Sequence, residues 1–78
     1  MKLLVRNLSR STTEQEIRLL FTAHGVVKEC TLVLDQATGK SKGFAFVEMP
    51  NEQEANAALT ALHETRVASN RIRVKVAQ

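Results

Sequence analysis

The sequence predicts an α+β fold in which two helices cover one face of a four-stranded antiparallel sheet. Four segments have the two-residue alternation of strands, two have the spacing of amphipathic helices, and a turn with Gly39 joins the two middle strands. The order is therefore βαββαβ, the split βαβ or ferredoxin-like arrangement. Right-handed crossovers place both helices on the same side, so the other face of the sheet is expected to be open to solvent.

Length and composition limit the function classes. Seventy-eight residues with 44% hydrophobic content suit one core, so we expect a single domain over residues 1–78. A net charge of +3 is compatible with a polyanionic partner but is also common in small domains. The lone Cys30 fits a reducing compartment and predicts a cytoplasmic location. No apolar run approaches the roughly 18 residues that a membrane span needs.

The first predicted strand covers residues 2–6. Leu3 and Val5 alternate with Lys2, Leu4 and Arg6. We expect the first two side chains in the core and the other three on the open face, because successive strand residues point to opposite sides.

The first helix is predicted from a capping box, in which Thr13 and Glu16 exchange side-chain and backbone hydrogen bonds. An apolar stripe with helical spacing follows at Ile17, Leu20 and Phe21. Gly25 is expected to end the helix in a left-handed conformation.

The second strand is predicted over residues 27–34, with Cys30 turned inward. Residues 35–41 then form a hairpin loop, in which Gly39 supplies the positive φ of the turn. Lys40 in this loop is a candidate phosphate contact, although an exposed lysine is equally expected in a solvated loop.

The third strand, residues 42–49, places two aromatic rings on one face. Phe44 and Phe46 share that face with Lys42. The opposite face carries small and aliphatic side chains suited to a core: Gly43, Ala45, Val47 and Met49. Two outward rings beside a cation suggest a stacking platform, and their alternative role is to pack in the core or to cover a partner.

A second helix and a fourth strand complete the prediction. The helix follows the polar cap Asn51, buries one face, and ends near His63, which is expected at the surface. The buried face consists of Ala55, Ala58, Leu59 and Leu62. In the strand, residues 71–76, Ile72, Val74 and Val76 are expected inward, and Arg71, Arg73 and Lys75 are expected outward.

The segment 42–49 resembles the RNP1 signature of the RNA recognition motif family, K/R-G-F/Y-G/A-F-V-x-F/Y, at seven of eight positions, and Met49 departs. Residues 3–8 resemble the family's RNP2 signature, except that Leu4 stands where an aromatic is usual. The resemblance covers essentially the whole chain and extends to small single-domain bacterial members. It implies strand order 4-1-3-2, with the two signature strands adjacent at the centre.

The resemblance also implies binding of single-stranded RNA, or of single-stranded DNA, on the open face. Phe44 and Phe46 would stack on bases, and basic side chains would contact phosphates. The expected RNA-binding residues are Leu4, Arg6, Lys40, Lys42, Phe44, Phe46, Arg73 and Lys75.

Two other function classes are a protein-interaction module and an enzyme. A protein-interaction or homodimerisation module using the same face is the alternative, since members of this family include such modules. An enzyme is not expected, because the sequence has no Ser-His-Asp or Cys-His set with plausible spacing and no phosphate-binding glycine loop. No cofactor or metal is expected either, since a lone cysteine supplies no CxxC site.

Overall fold

The computed structural model describes residues 1–77. Its elements are, in chain order, β1 (Lys2–Arg6), α1 (Glu14–Thr22), β2 (Glu29–Leu34), β3 (Ser41–Glu48), α2 (Glu52–Leu62), β4 (Arg66–Val67), β5 (Asn70–Arg71) and β6 (Arg73–Ala77). Within these residues, no helix has the length and apolarity needed to cross a membrane.

The main sheet has the strand order β2-β3-β1-β6, and every neighbouring pair is antiparallel. Because β6 is the fourth strand of this sheet along the chain, the order confirms the predicted 4-1-3-2. The central strands are β1 and β3, which contain most of the two segments that resemble the family signatures, and Leu3 lies opposite Val47 in their register.

A single apolar cluster lies between the sheet and the two helices. Leu3 and Val47 of the central strands are fully buried, as are Phe21 of α1 and Ala58 of α2. Both helices therefore pack on the same side of the sheet, as predicted. The alanines of α2 bring its backbone close to the strands, because they present no side chain beyond Cβ.

The helix starts follow the sequence signals. The Glu16 N–H donates to Thr13 Oγ1 at 3.2 Å, and the Thr13 N–H donates to Glu16 Oε1 at 2.8 Å, which confirms the capping box. The prediction for the end of α1 was wrong. The helix ends at Thr22, and Gly25 lies beyond its cap with a φ of 156°, away from the left-handed helical value near 60°.

The second strand begins at Glu29, two positions later than predicted. Cys30 is buried, as expected. The alternation fails at the other end, because the pairing with β3 shifts between Leu32 and Leu34. This irregularity leaves Leu34 half exposed.

The chain after α2 differs most from the prediction. Residues 66–67 and 70–71 form a small hairpin that the sequence analysis did not predict, and Arg71 belongs to it rather than to the edge strand β6. Ile72 and Val74 are buried as predicted. Val76 lies opposite the buried Leu3 and therefore faces inward as predicted, but it is 37% exposed because it lies near the end of an edge strand.

Candidate nucleic-acid interface

The aromatic side chains of β3 lie on the face of the sheet away from the helices. Ala45 and Val47 are fully buried, whereas Phe44 and Phe46, which alternate with them, are partly exposed. Phe46 lies opposite Leu4 of β1 on one side and opposite Thr31 of β2 on the other. The ring therefore stands in the middle of the open face, with a strand on each flank.

The two rings form an edge-to-face pair. Their centroids are 6.2 Å apart, and their planes meet at 87°. The Nζ atom of Lys2 lies 5.0 Å from the Phe46 centroid, within range of a cation–π contact. Lys2 was expected on this face but not among the binding residues, because no local sequence signal indicated its contact with Phe46 on the neighbouring strand.

Four of the five predicted basic residues, Arg6, Lys42, Arg73 and Lys75, are exposed at the same face. Arg6 of β1 lies opposite Arg73 of β6, and Leu4 lies opposite Lys75. Lys42 lies with Arg6 and Phe44 around an open cavity of about 650 Å³. The structure therefore brings together seven of the eight predicted residues: Leu4, Arg6, Lys42, Phe44, Phe46, Arg73 and Lys75.

Lys40 stands apart from this set. Its backbone closes the β2–β3 turn, where the Asp35 N–H donates to the Lys40 carbonyl at 2.7 Å. Its side chain is exposed and lines none of the cavities beside the rings. Its contribution to binding remains a prediction.

Charge is distributed unevenly along the open face. At one end, Glu48 lies opposite Glu29 and also opposite Lys2, and Lys28 Nζ is 3.8 Å from the Glu48 carboxylate. At the other end lie three cations, Arg6, Arg73 and Lys42. Among residues 1–77, none of these three has a carboxylate within 4.0 Å. A polyanion is therefore attracted to the end of the sheet where β1 ends and β3 begins.

The loop after β1 is held against that end by backbone geometry. Gly43 has a φ of 88°, and its carbonyl accepts the Leu8 N–H at 2.9 Å. The Asn7 side chain donates to the Arg71 carbonyl at 2.8 Å, and Asn70 donates to the Asn7 carbonyl at 3.2 Å. These two asparagines join the loop to the small hairpin, a role that no local sequence signal indicated.

The fold agrees with a comparison to known families. A family model described as the RNA recognition motif matches residues 3–73. The chain belongs to the RNA recognition motif family. The match includes both central strands, β1 and β3, of this RNA recognition motif.

Curated relatives include two proteins named for RNA binding. The chain is 37% identical over 78 residues to RbpD of Nostoc sp., which is provisionally named an RNA-binding protein. The alignment covers all of this chain and 83% of RbpD. It is 38% identical over 76 residues to glycine-rich RNA-binding protein 1 of Mycosarcoma maydis, covering 97% of this chain but 43% of that protein. The chain therefore spans less than half the length of this relative. Two further relatives are a chloroplast and a mitochondrial protein of Arabidopsis thaliana, of which the alignments cover 27% and 56%.

A solved structure shares the fold closely. The Sex-lethal RNA recognition domains 1 and 2 of Drosophila melanogaster superpose on this RNA recognition motif with a TM-score of 0.94 at 32% identity. The match covers 99% of this chain and 49% of that one. The same Sex-lethal protein has been solved in a complex with RNA.

Proposed function

We propose that this RNA recognition motif binds single-stranded RNA on the open face of its sheet, by stacking bases on Phe44 and Phe46. The observation that carries the proposal is the pair of partly exposed rings on a central strand whose alternate residues are fully buried. Apolar rings at that position have no neighbour in the core, and a nucleobase offers a flat surface to cover them. The RNA-binding names of the relatives and the RNA complex of Sex-lethal support the same conclusion.

The basic end of the face would hold the phosphates. Arg6, Lys42 and Arg73 are exposed there, and Lys75 is exposed on β6 opposite Leu4. Lys40 is exposed in the β2–β3 turn and would contact a phosphate farther along the RNA. Leu4 would add apolar contact beside Phe46, with which it pairs across the strands. Each role follows from the position of the residue and its chemistry.

The expected affinity is modest. Stacking contributes about 1–3 kcal/mol per base, so two rings supply roughly 2–6 kcal/mol. Micromolar affinity needs about 8 kcal/mol, and salt-dependent phosphate contacts must supply the remainder. The domain is therefore proposed as a weak binder with a short footprint.

We further propose that residues 1–78 act as one domain, in post-transcriptional handling of RNA and without catalysis. A cytoplasmic location is proposed because the lone Cys30 fits a reducing compartment. Burial, followed by the charge of Glu14, raises the pKa of this thiol, which lies on the core side. A buried free thiol suits any reducing compartment, so the chloroplast and the mitochondrion, in which two relatives are named, are further candidate locations. Single-stranded DNA is a second ligand that stacking alone would accept.

Fluorescence anisotropy with a labelled degenerate RNA hexamer tests the proposal. Phe44→Ala and Phe46→Ala should each weaken binding about tenfold, as expected for the loss of one stacked base. Leu19→Ala is the matched control, because Leu19 is exposed on α1, on the helical side of the molecule. Equal affinity of all three variants and the wild type would contradict stacking on these rings.

The alternative is that the same face binds a protein or a second copy of the chain. The contiguous apolar surface of Leu4, Phe44 and Phe46 is the observation that favours it. Binding to RNA should fall steeply as salt rises, whereas an apolar protein contact should not. Sedimentation of the chain alone reports dimerisation, and loss of a dimer in Phe46→Ala would support this alternative.

A further inference from the structure

The open cavity beyond Phe44 extends past the stacking platform. It has a volume of about 650 Å³ and lies between the ends of the central strands and the loop after β1. Three cations line it from three different segments: Arg6 at the end of β1, Arg10 in the following loop, and Lys42 near the start of β3. Arg10 has no part in the sequence-predicted site.

The charges of this cavity are not neutralised within the protein. Among residues 1–77, none of the three cations has a carboxylate within 4.0 Å. Hydrogen bonds from the Thr38 and Ala37 N–H groups chiefly lower the pKa of Asp35, and the charge of Arg10 adds to this effect without forming a salt bridge. Three convergent cations with no carboxylate within 4.0 Å among residues 1–77 attract an anion.

The walls of the cavity are held in place before any ligand arrives. On one side, the Asn7 side chain donates to the Arg71 carbonyl and the Asn70 side chain donates to the Asn7 carbonyl. On the other side, the Leu8 N–H donates to the Gly43 carbonyl. Asn7 adopts a φ of 60° in this arrangement, which asparagine tolerates better than most residues. A site that is already formed loses less entropy on binding.

We propose that this cavity holds a flanking nucleotide of the bound RNA through its phosphate, which contacts Arg6, Arg10 and Lys42. The proposal rests on the proposed function, since Phe44 lies on the cavity wall and a base stacked there leads the chain toward it. The cavity volume of about 650 Å³ exceeds what a phosphate group occupies, which leaves room for the sugar and base of that nucleotide. The RNA footprint then extends off the sheet onto the β1–α1 loop.

Arg10→Gln tests the site against Arg18→Gln as a matched control. Both variants remove one exposed positive charge, but Arg18 lies on α1 and lines no part of the cavity. We expect Arg10→Gln to weaken binding of a degenerate RNA octamer about fivefold more than Arg18→Gln at roughly 0.1 M salt. The slope of log affinity against log salt should also fall by about 0.7 for Arg10→Gln, the value for one phosphate contact of a single strand.

The outcomes separate the two proposals. Identical affinity and salt slope for the two variants, with the wild type still binding the octamer and Phe46→Ala still impaired, would overturn the flanking site and leave the stacking platform standing. Absence of octamer binding by the wild type would overturn the proposed function itself, together with this inference. Displacement of the octamer by an equal concentration of inorganic phosphate would reveal a site for free anions and would also overturn the proposal.

Discussion

Leu4 of β1 lies directly opposite Phe46 of β3 in the antiparallel register. Side chains paired in this way have Cβ atoms about 4.5–5.5 Å apart, so they share one patch of surface. The resemblance to RNP2 implies an aromatic at the position of Leu4, so a base stacked on Phe46, as proposed, would meet an aliphatic neighbour instead.

Leu4→Phe should therefore tighten RNA binding. A third ring beside Phe46 offers one more stacking surface, and the lower end of the stacking range, about 1 kcal/mol, corresponds to roughly a fivefold gain. Anisotropy with the labelled RNA hexamer measures it, and Leu4→Val, which stays aliphatic, serves as the control. An affinity unchanged or weakened by Leu4→Phe would contradict stacking at this position.

Gly43→Ala should destabilise the protein more than Gly39→Ala does. Both glycines have positive φ, of 88° and 73°, so alanine is strained by about 1–2 kcal/mol at either position. A Cβ at Gly43 would also come within 3.3 Å of the Leu8 carbonyl oxygen, whereas a Cβ at Gly39 meets nothing within 4 Å. Urea unfolding measures the difference, and equal losses for the two variants would show that the contact with Leu8 relaxes freely.

His63→Ala should lower the free energy of unfolding by about 1–2 kcal/mol. The Nδ1 atom of His63 accepts the Val74 N–H at 3.0 Å, so alanine leaves this outward-pointing amide of the edge strand without its partner. Asparagine places a carbonyl oxygen near the position of Nδ1, and we expect His63→Asn to retain most of the stability. Chemical denaturation compares the variants, and equal stability of His63→Ala and the wild type would contradict the role of this bond.

Acid should loosen the β2–β3 turn through Asp35. Hydrogen bonds from the backbone N–H groups of Thr38 and Ala37 hold the pKa of this carboxyl below its ordinary value of 3.8. A lowered pKa means that its contribution to stability is present above 3.8 and is lost as the pH falls through the folded-state pKa. Amide shifts of Ala37 and Thr38 followed by NMR should report this titration, and Asp35→Asn should abolish it. A midpoint at or above 3.8 would contradict the hydrogen bonds.

The features that the sequence predicted well depend on short-range periodicity. The alternation around Phe44 and Phe46 predicts which side chains enter the core, because Ala45 and Val47 together form a small apolar face that packs well in an interior. The capping box of Thr13 likewise involves residues three positions apart. Such signals depend on residues close together in the sequence, so they can be identified without knowledge of the tertiary contacts.

The features that the sequence did not predict join distant segments. Asn70 reaches Asn7 across most of the chain, and the imidazole of His63 meets Val74 only after α2 has docked. Arg10 joins the candidate site only because the loop after β1 folds back beside β3. Val76 has a core-facing period, yet the packing at the end of an edge strand leaves it partly exposed.

The most direct test of base stacking on the open face is a side-chain and amide chemical-shift titration of the isotope-labelled protein with a degenerate single-stranded RNA hexamer, at two salt concentrations. The account predicts shifts concentrated on Leu4, Phe44 and Phe46 and on the β6 strand, with affinity that weakens as salt rises. Shifts confined to the helices, or no shift of the Phe44 and Phe46 rings at millimolar RNA, would contradict it.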